Sequence, residues 1–281
     1  MIHSLCSTLP LPSPGRTTGM DCMIDTHCHL LDGIDDGPQE REDTLEMCRL
    51  ASEDGIRGIV ATPHSFDGRF INDPARIKTL VSTLNEELAA LGLDLTVYPG
   101  MEARITLELF EHLDTGRLLP LNGGSYVLME FHPFHVPAGF DNLVRRFLDA
   151  GFRTILAHPE KNLVVQSDPG YVFRLIRCFK PWEILIQITG DSLTGQNGFR
   201  ASMAAKTLLK RGLVHLIASD AHSPRERPPR LTKALARAAA LIGEHRAGLL
   251  VRDIPEAVIS GKPFPPVWEP KEPRRWWEIF R

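Results

Sequence analysis

From Met23 onward the chain repeats one pattern: a short run of β-prone apolar residues, then a stretch whose apolar residues recur at helical spacing. No other feature restricts the fold as much, because strands separated by helices run parallel and are joined by crossovers. Strands are expected at 23–28, 58–62, 94–99, 125–131, 153–157, 183–188 and 213–219, with helices near 39–54, 106–116, 139–150, 169–178, 199–211 and 230–245. The clearest helix is 73–91. There Ile77, Leu80, Val81, Leu84, Leu88 and Leu91 form one stripe, and Asp73-Pro74 supplies the N-cap and first helical position. An α/β layer fold or barrel follows.

Composition sets the outer limits. With 281 residues, 43% hydrophobic and 24% charged, the chain can bury a sizeable core. A formal charge of −3 argues against a protein built to coat nucleic acid. Cys6, Cys22, Cys28, Cys48 and Cys178 contain no CxxC pair. That fits a reducing, cytoplasmic setting and argues against a disulfide framework or a cysteine-rich zinc site. The apolar runs are strand-sized, short of the ~18 residues that a membrane-crossing helix needs. Residues 1–22, rich in Pro, Ser and Thr, are expected to be a disordered extension or a misplaced start rather than a signal peptide. One barrel-type domain is placed on 23–262. Beyond it, 263–281 carries Pro263, Pro265, Pro266, Pro270 and Pro273 and then RRWWEIFR. This aromatic-basic tail (Trp268, Arg274, Arg275, Trp276, Trp277, Phe280) either associates peripherally with a membrane complex or packs back on the body.

The strand ends carry the chemistry. The first ends in Asp25-Thr26-His27-Cys28-His29, which puts both histidines on one side of an extended segment and Cys28 on the other. The others close on Thr62-Pro63-His64, Gly100-Met101-Glu102, Met129-Glu130, Ala157-His158-Pro159-Glu160 and Ser219-Asp220-Ala221-His222. A lone histidine at a strand end is usually structural. Six strands of seven finishing in His, Asp or Glu point instead to one mouth, since parallel barrels gather their C-terminal strand ends there. Imidazoles and carboxylates without thiolates suit Mn²⁺, Fe²⁺ or Zn²⁺. His132 and His135 flank a site loop, where a substrate-binding and a loop-structural role are equally open. His112, His215 and His245 are assigned no role.

Other chemistries fail on the residues. A cysteine-dependent phosphatase needs arginine six positions after its cysteine, and those positions hold Pro12, Cys28, Ile34, Asp54 and Ile184. No GxxxxGK[ST] or GxGxxG follows a strand, and no GxSxG elbow is present. A metal site survives.

HxH, TPH, HPE and SDAH, in that order, resemble the PHP (polymerase and histidinol phosphatase) superfamily. MIDTHCHLLDGIDDGP, IVATPH, YPGMEARIT, HPEKN, ITGDSLTG and SDAHSPRERPPR resemble, more closely, the bacterial capsular-polysaccharide tyrosine phosphatases of the CpsB/CapC/YwqE type, from about Met23 to Gly261. The resemblance implies a distorted (β/α)₇ TIM-like barrel with three divalent metal ions, typically Mn²⁺. It implies His27, His29, Glu102 and Asp220 on one ion, and a second held by Glu102, Glu130 and His158. A third would take Asp36, His64 and His222. Asp35 stands beside Asp36, and one of these two adjacent loop acids is open to being merely solvated. Arg227 and Lys161 would contact phosphate, Lys161 standing where the family usually has arginine, which keeps the charge and loses the bidentate fork.

The implied activity is metal-dependent hydrolysis of phosphotyrosine on the tail of an autophosphorylating bacterial kinase of polysaccharide export, by direct attack of a metal-activated hydroxide. Four carboxylates, three divalent ions and one hydroxide leave a net charge of about +1, which attracts an aryl phosphate of roughly −1.5 to −2. The phenol, with a pKa of about 10, leaves with little protonation. The rivals are a small-molecule phosphoesterase of the histidinol phosphate kind, a phosphoesterase on nucleic-acid ends, and a lapsed metal-binding regulatory module. No nucleic-acid partner is expected, because stacking aromatics and a basic groove are lacking.

Overall fold

The computed structural model describes residues 22–106, 108–265 and 270. The expected N-terminal extension, Cys22 apart, and Trp268, Arg274, Arg275, Trp276, Trp277 and Phe280 of the expected tail lie outside the described residues. The strands are β1 (Met23–Cys28), β2 (Ile56–Ala61), β3 (His64–Ser65), β4 (Thr96–Pro99), β5 (Glu102–Arg104), β6 (Tyr126–Glu130), β7 (Arg153–Ala157), β8 (Ile184–Thr189) and β9 (Leu216–Ala218). Every ladder is parallel, in the orders β1-β2-β4 and β3-β5-β6-β7-β8-β9. β6 and β8 are buried along their whole length, as parallel strands covered on both faces are.

The single ring of seven expected strands is observed as these two ladders, for a local reason. β2 and β3 are pieces of one run broken at Thr62-Pro63, and β4 and β5 are pieces of another broken after Pro99. Proline cannot donate to a ladder. Gly100 makes the second break possible, because a Cβ there would stand 2.7 Å from Val60 and 2.8 Å from Leu121. The chain still meets itself across the break, where the Glu102 N–H donates to the Pro63 carbonyl at 3.1 Å. At the other seam β1 and β9 meet through one bridge, Cys28 to Ala221. It is flanked by Asp220 N–H to the His27 carbonyl and His29 N–H to the Ala221 carbonyl, both 2.8 Å. That contact carries the two histidines of β1 to the Asp220 loop.

Helices pack around the strands over one continuous apolar core. The helix Pro74–Ala90 forms as expected, with the Asp73 carboxylate accepting from the Ala75 N–H at 2.9 Å. Ile77, Val81, Leu84 and Leu88 are buried on it, each worth about 1.5–3 kcal/mol as an upper estimate. Leu91 is not part of that face. It is half-exposed, because the helix stops at Ala90 and Gly92, at φ 68°, turns the chain. The helix expected over 230–245 is two, Thr232–Ile242 and Glu244–Leu249, separated by Gly243 at φ 86°. Asp253–Ser260 is a further helix that the spacing had not indicated. Among the described residues no helix is long and apolar enough to cross a membrane. The first residues of the proline-rich stretch pack on the body, with Phe264 stacked on Trp182 (centroids 4.4 Å apart) and edge-on to Tyr126.

His215, expected inside a strand, lies just before β9 and is buried, with Nδ1 accepting from the Ile186 N–H at 3.0 Å. Burial pushes its pKa down to about 4. An unfolded histidine binds a proton at about pH 6.5, so between pH 6.5 and 4 the unfolded chain holds more protons and stability falls as pH falls. The loss at pH 5 is about 2 kcal/mol. His215→Gln should therefore lose less melting temperature than wild type between pH 7.5 and pH 5. Equal losses in thermal melts would show that His215 is not the acid-sensitive group.

Candidate metal centre

The side chains that the strand ends present converge at the C-terminal ends of the strands. His27 is buried, and its Nδ1–H donates to Gln187 Oε1 at 2.8 Å, while the Gln187 amide N–H is spent on Thr26 Oγ1 at 2.9 Å. His29 Nδ1–H donates to Asp35 Oδ2 at 2.6 Å, and His222 Nδ1–H to the Asp220 carbonyl at 2.9 Å. With Nδ1 occupied in each ring, Nε2 is the atom that faces the cavity. Such outer hydrogen bonds fix the ring orientation of metal-binding histidines.

His27 Nε2 stands 3.3 Å from Glu102 Oε2, 3.4 Å from Asp220 Oδ1 and 3.1 Å from His29 Nε2. His29 Nε2 stands 3.4 Å from Glu102 Oε2 and 3.5 Å from Asp220 Oδ1. The other Glu102 oxygen is 2.8 Å from His158 Nε2, which lies 4.0 Å from Glu130 Oε2. On the remaining side, Asp36 Oδ1 is 3.6 Å from His64 Nε2 and 3.4 Å from His222 Nε2. His64 Nδ1 looks the opposite way, 3.0 Å from Glu102 Oε2 and 3.4 Å from Glu130 Oε1. All nine residues expected to meet do meet, in overlapping groups of three and four whose ligand atoms lie within 4.8 Å of one another.

The donor set fits divalent ions. With bonds of about 2.0–2.2 Å, two donors on one ion stand about 2.8–3.6 Å apart, the spacing of most of these pairs. His64 Nδ1 and Glu102 Oε2 are buried without hydrogen-bond partners, Glu130 Oε1 has its ion pair with Arg104, and a cation among the three would satisfy the unpartnered atoms. Nitrogen and oxygen donors suit Mn²⁺, Fe²⁺ or Zn²⁺.

Charges within the cluster act on one another. Burial opposes ionisation of Glu102, but the imidazoles of His27, His64 and His158 hold it well below the usual carboxylate range. Burial opposes the charged form of Asp220 too, and Lys161 and His27 outweigh it, keeping the carboxyl well below its ordinary value. His29 is raised well above the usual imidazole value by Asp35, Asp220 and Glu102 against its burial, and His64 is pushed up to about 10, chiefly by Glu102. Burial and the neighbouring His29 press His222 down to about 4. A proton on His29 or His64 and a bound cation would compete for the same lone pairs.

The backbone carries strain here. His158 (φ 30°) and Asp220 (φ 54°) both have left-handed conformations, which few non-glycine residues adopt. Gly37 lets the GIDDGP loop fold over His29, since a Cβ there would stand 2.5 Å from the His29 carbonyl oxygen. Arg227 and Lys161 both reach the second oxygen of Asp220, Arg227 at 2.9 Å. They line a cavity of about 230 Å³ together with Asp36, His64, Glu130, His158 and Arg104.

Several participants escaped the sequence reading. Asp35, given no ligand role, is buried and accepts from His29, from the Gly37 N–H at 2.9 Å and from the His64 N–H at 3.1 Å. Gln187 comes from β8, the strand without an acidic or histidine end. Arg104 on β5 pairs with Glu130 at 3.0 Å and donates to the Phe131 carbonyl at 3.1 Å. Asp25, its pKa raised to about 6 by burial, accepts from Ser219 and anchors the Asp220 loop under β1. His132 and His135 stack on each other in the loop after β6, at the edge of the cavity rather than among the nine. Cys28 is buried packing, as expected.

Known proteins place the chain in a family. The chain is 37% identical over 205 residues to the tyrosine-protein phosphatase YwqE of Bacillus subtilis, covering 73% of this chain and 79% of that one. It is 34% identical over 208 residues to the putative tyrosine-protein phosphatase CapC of Staphylococcus aureus, covering 73% and 79%. Among solved structures, one from work on YwqE of Bacillus subtilis and CpsB of Streptococcus pneumoniae, described as metal-dependent tyrosine phosphatases, superposes with a TM-score of 0.83. It is 32% identical and covers 90% of this chain and all of its own. A histidinol phosphate phosphatase of Lactococcus lactis, at TM-score 0.51 and 15% identity, shares the fold. The model of the capsular polysaccharide synthesis family CpsB/CapC matches residues 23–260, and the chain belongs to that family.

Proposed function

We propose that this protein is a metal-dependent phosphotyrosine-protein phosphatase whose substrate is the phosphorylated tail of a bacterial tyrosine kinase in capsule or exopolysaccharide synthesis. The observation that carries the reading is the convergence of Nε2 atoms of His27 and His29 with one oxygen each of Glu102 and Asp220, 3.1–3.5 Å between neighbours. The two ladders are read as a distorted (β/α)₇ barrel that holds this mouth. His27, His29, Glu102 and Asp220 would hold one ion, Glu102, Glu130 and His158 a second, and Asp36, His64 and His222 a third, with Mn²⁺ the first candidate. When bound, such ions acidify water toward neutral pH and supply positive charge for phosphoryl oxygens.

The chain's own residues do the rest. Gln187 and Asp35 keep the imidazoles of His27 and His29 aimed at the cavity. Arg104 holds Glu130. Lys161 and Arg227 wait on Asp220, on the cavity wall, where an entering phosphate dianion finds two cations and competes for them. They offset charge on the equatorial oxygens in a transfer that depends mainly on positioning and electrostatics. Lys161 offers a point charge and no fork, so Arg227 carries the directional hydrogen bonds. A phenolate leaves unaided, and no general acid is required of the chain.

Turnover of a phosphotyrosyl peptide, histidinol phosphate and a 3′-phosphorylated oligonucleotide, each with Mn²⁺, tests the assignment. The peptide should exceed both others in kcat/KM by at least about tenfold, the scale of ~1.4 kcal/mol of differential transition-state binding. A preference for histidinol phosphate or the oligonucleotide would replace the substrate and leave the metal chemistry standing.

A further inference from the structure

We infer that the loop after β6 and the start of the helix Leu163–Ser167 form a rigid apolar lip that grips the polypeptide flanking the phosphotyrosine, making the enzyme selective for apolar residues beside it. The inference rests on the phosphotyrosine reading and adds what the protein recognises outside the phosphate. Phe131, Pro133 and Asn162 line the cavity. Within two positions of them in the chain, Phe134, Leu163 and Val164 are 68%, 45% and 37% exposed. Three of the seven exposed large apolar side chains among the described residues are therefore gathered at one rim. Isolated exposed apolar residues are ordinary, whereas a group beside a polar cavity marks a binding surface.

The lip is built. The Asn162 side-chain amide donates to the carbonyls of His132 (2.8 Å) and His135 (3.0 Å), and its Oδ1 accepts from the Val164 and Val165 N–H groups at 2.9 and 3.1 Å. The Leu163 N–H donates to the Pro133 carbonyl at 2.9 Å. One side chain thus staples the loop to the helix, and the backbone bond brings Pro133, next to Phe134, against Leu163. Ordering cost is already met before binding, which is what lets a small apolar surface contribute affinity.

Continuity with the cavity selects the occupant. Lys161 immediately precedes Asn162, so a phosphate held at Lys161 and Arg227 directs the rest of its ester along this rim. A small aryl phosphate ends inside the cavity. In a phosphotyrosyl protein, the para-linked ring holds the main chain outside, and only such a substrate reaches Phe134 and Leu163.

The full chain with Mn²⁺ is assayed on p-nitrophenyl phosphate and on two phosphotyrosyl peptides, one with leucine and one with serine on both sides of the tyrosine. Wild type should prefer the leucine peptide by about tenfold or more in kcat/KM, the effect of one apolar contact. Phe134→Ser and Leu163→Ser should abolish that preference and leave p-nitrophenyl phosphate within about twofold, which also reports intact folding. Anisotropy of the labelled peptides gives the same comparison without turnover. Binding that prefers leucine while nothing is hydrolysed would sink the phosphatase reading and keep the lip. No leucine preference in wild type, equal losses on all substrates, or a serine-variant effect confined to dissociation of a dimer in sedimentation would overturn the lip.

Discussion

Glu102→Gln removes turnover of aryl phosphates by more than about 10²- to 10³-fold and empties two of the proposed ion positions while leaving the fold in place. Glu102 is fully buried, with one oxygen facing His27, His29 and His64 and the other facing His158. The substitution keeps volume and removes the only charge common to both groups. Losing one positioned charge-stabilising group costs about 10²–10³ in rate, and outer hydrogen-bond partners of ligands alone cost about 10–100-fold in metal affinity or activity. A residue proposed to touch two ions should exceed both. Metal content of the purified variant should fall by two ions relative to wild type, and circular dichroism should be unchanged. Full metal content with full activity would remove Glu102 from the centre. Arg104→Gln provides the graded comparison, because Arg104 touches Glu130 and no other member of the cluster.

Much of this site was legible before any coordinates. His27, His29, His64, Glu102, Glu130, His158, Asp220 and His222 each close a run of apolar residues, and parallel strands bring their C-terminal ends to one side. What holds those ligands was not legible. Gln187 reaches His27 across 160 positions, and Asp35 looks like half of an acidic surface pair until the GIDDGP loop folds over His29. Both depend on tertiary placement that no local spacing records. β3 and β5 were missed because two- and three-residue strands following a proline break carry no alternation to read. Leu91 was placed on the buried stripe because its spacing is right. A helix end is set by the glycine after it, not by the periodicity before it.

The same geometry links stability to metal. Carboxylates of Asp36, Glu102, Glu130 and Asp220 sit within overlapping groups of possible metal ligands, and Glu102 Oε2 is buried there without a hydrogen-bond partner. Ions that bind only the folded state raise its stability by about 2.7 kcal/mol at a hundredfold excess over Kd, or roughly 5–10 °C for a chain of this size. Lower pH should weaken uptake, because protons on His29 and His64 compete for the same lone pairs.

Stripping the full chain with a chelator and then returning Mn²⁺, with phosphotyrosyl-peptide hydrolysis and melting temperature followed in the same samples, is the most direct measurement. The account predicts no hydrolysis above background in the stripped protein, recovery on adding Mn²⁺, and a melting temperature that rises as activity returns. Unchanged hydrolysis after the ions are removed would mean that these histidines and acids do not work by holding metal.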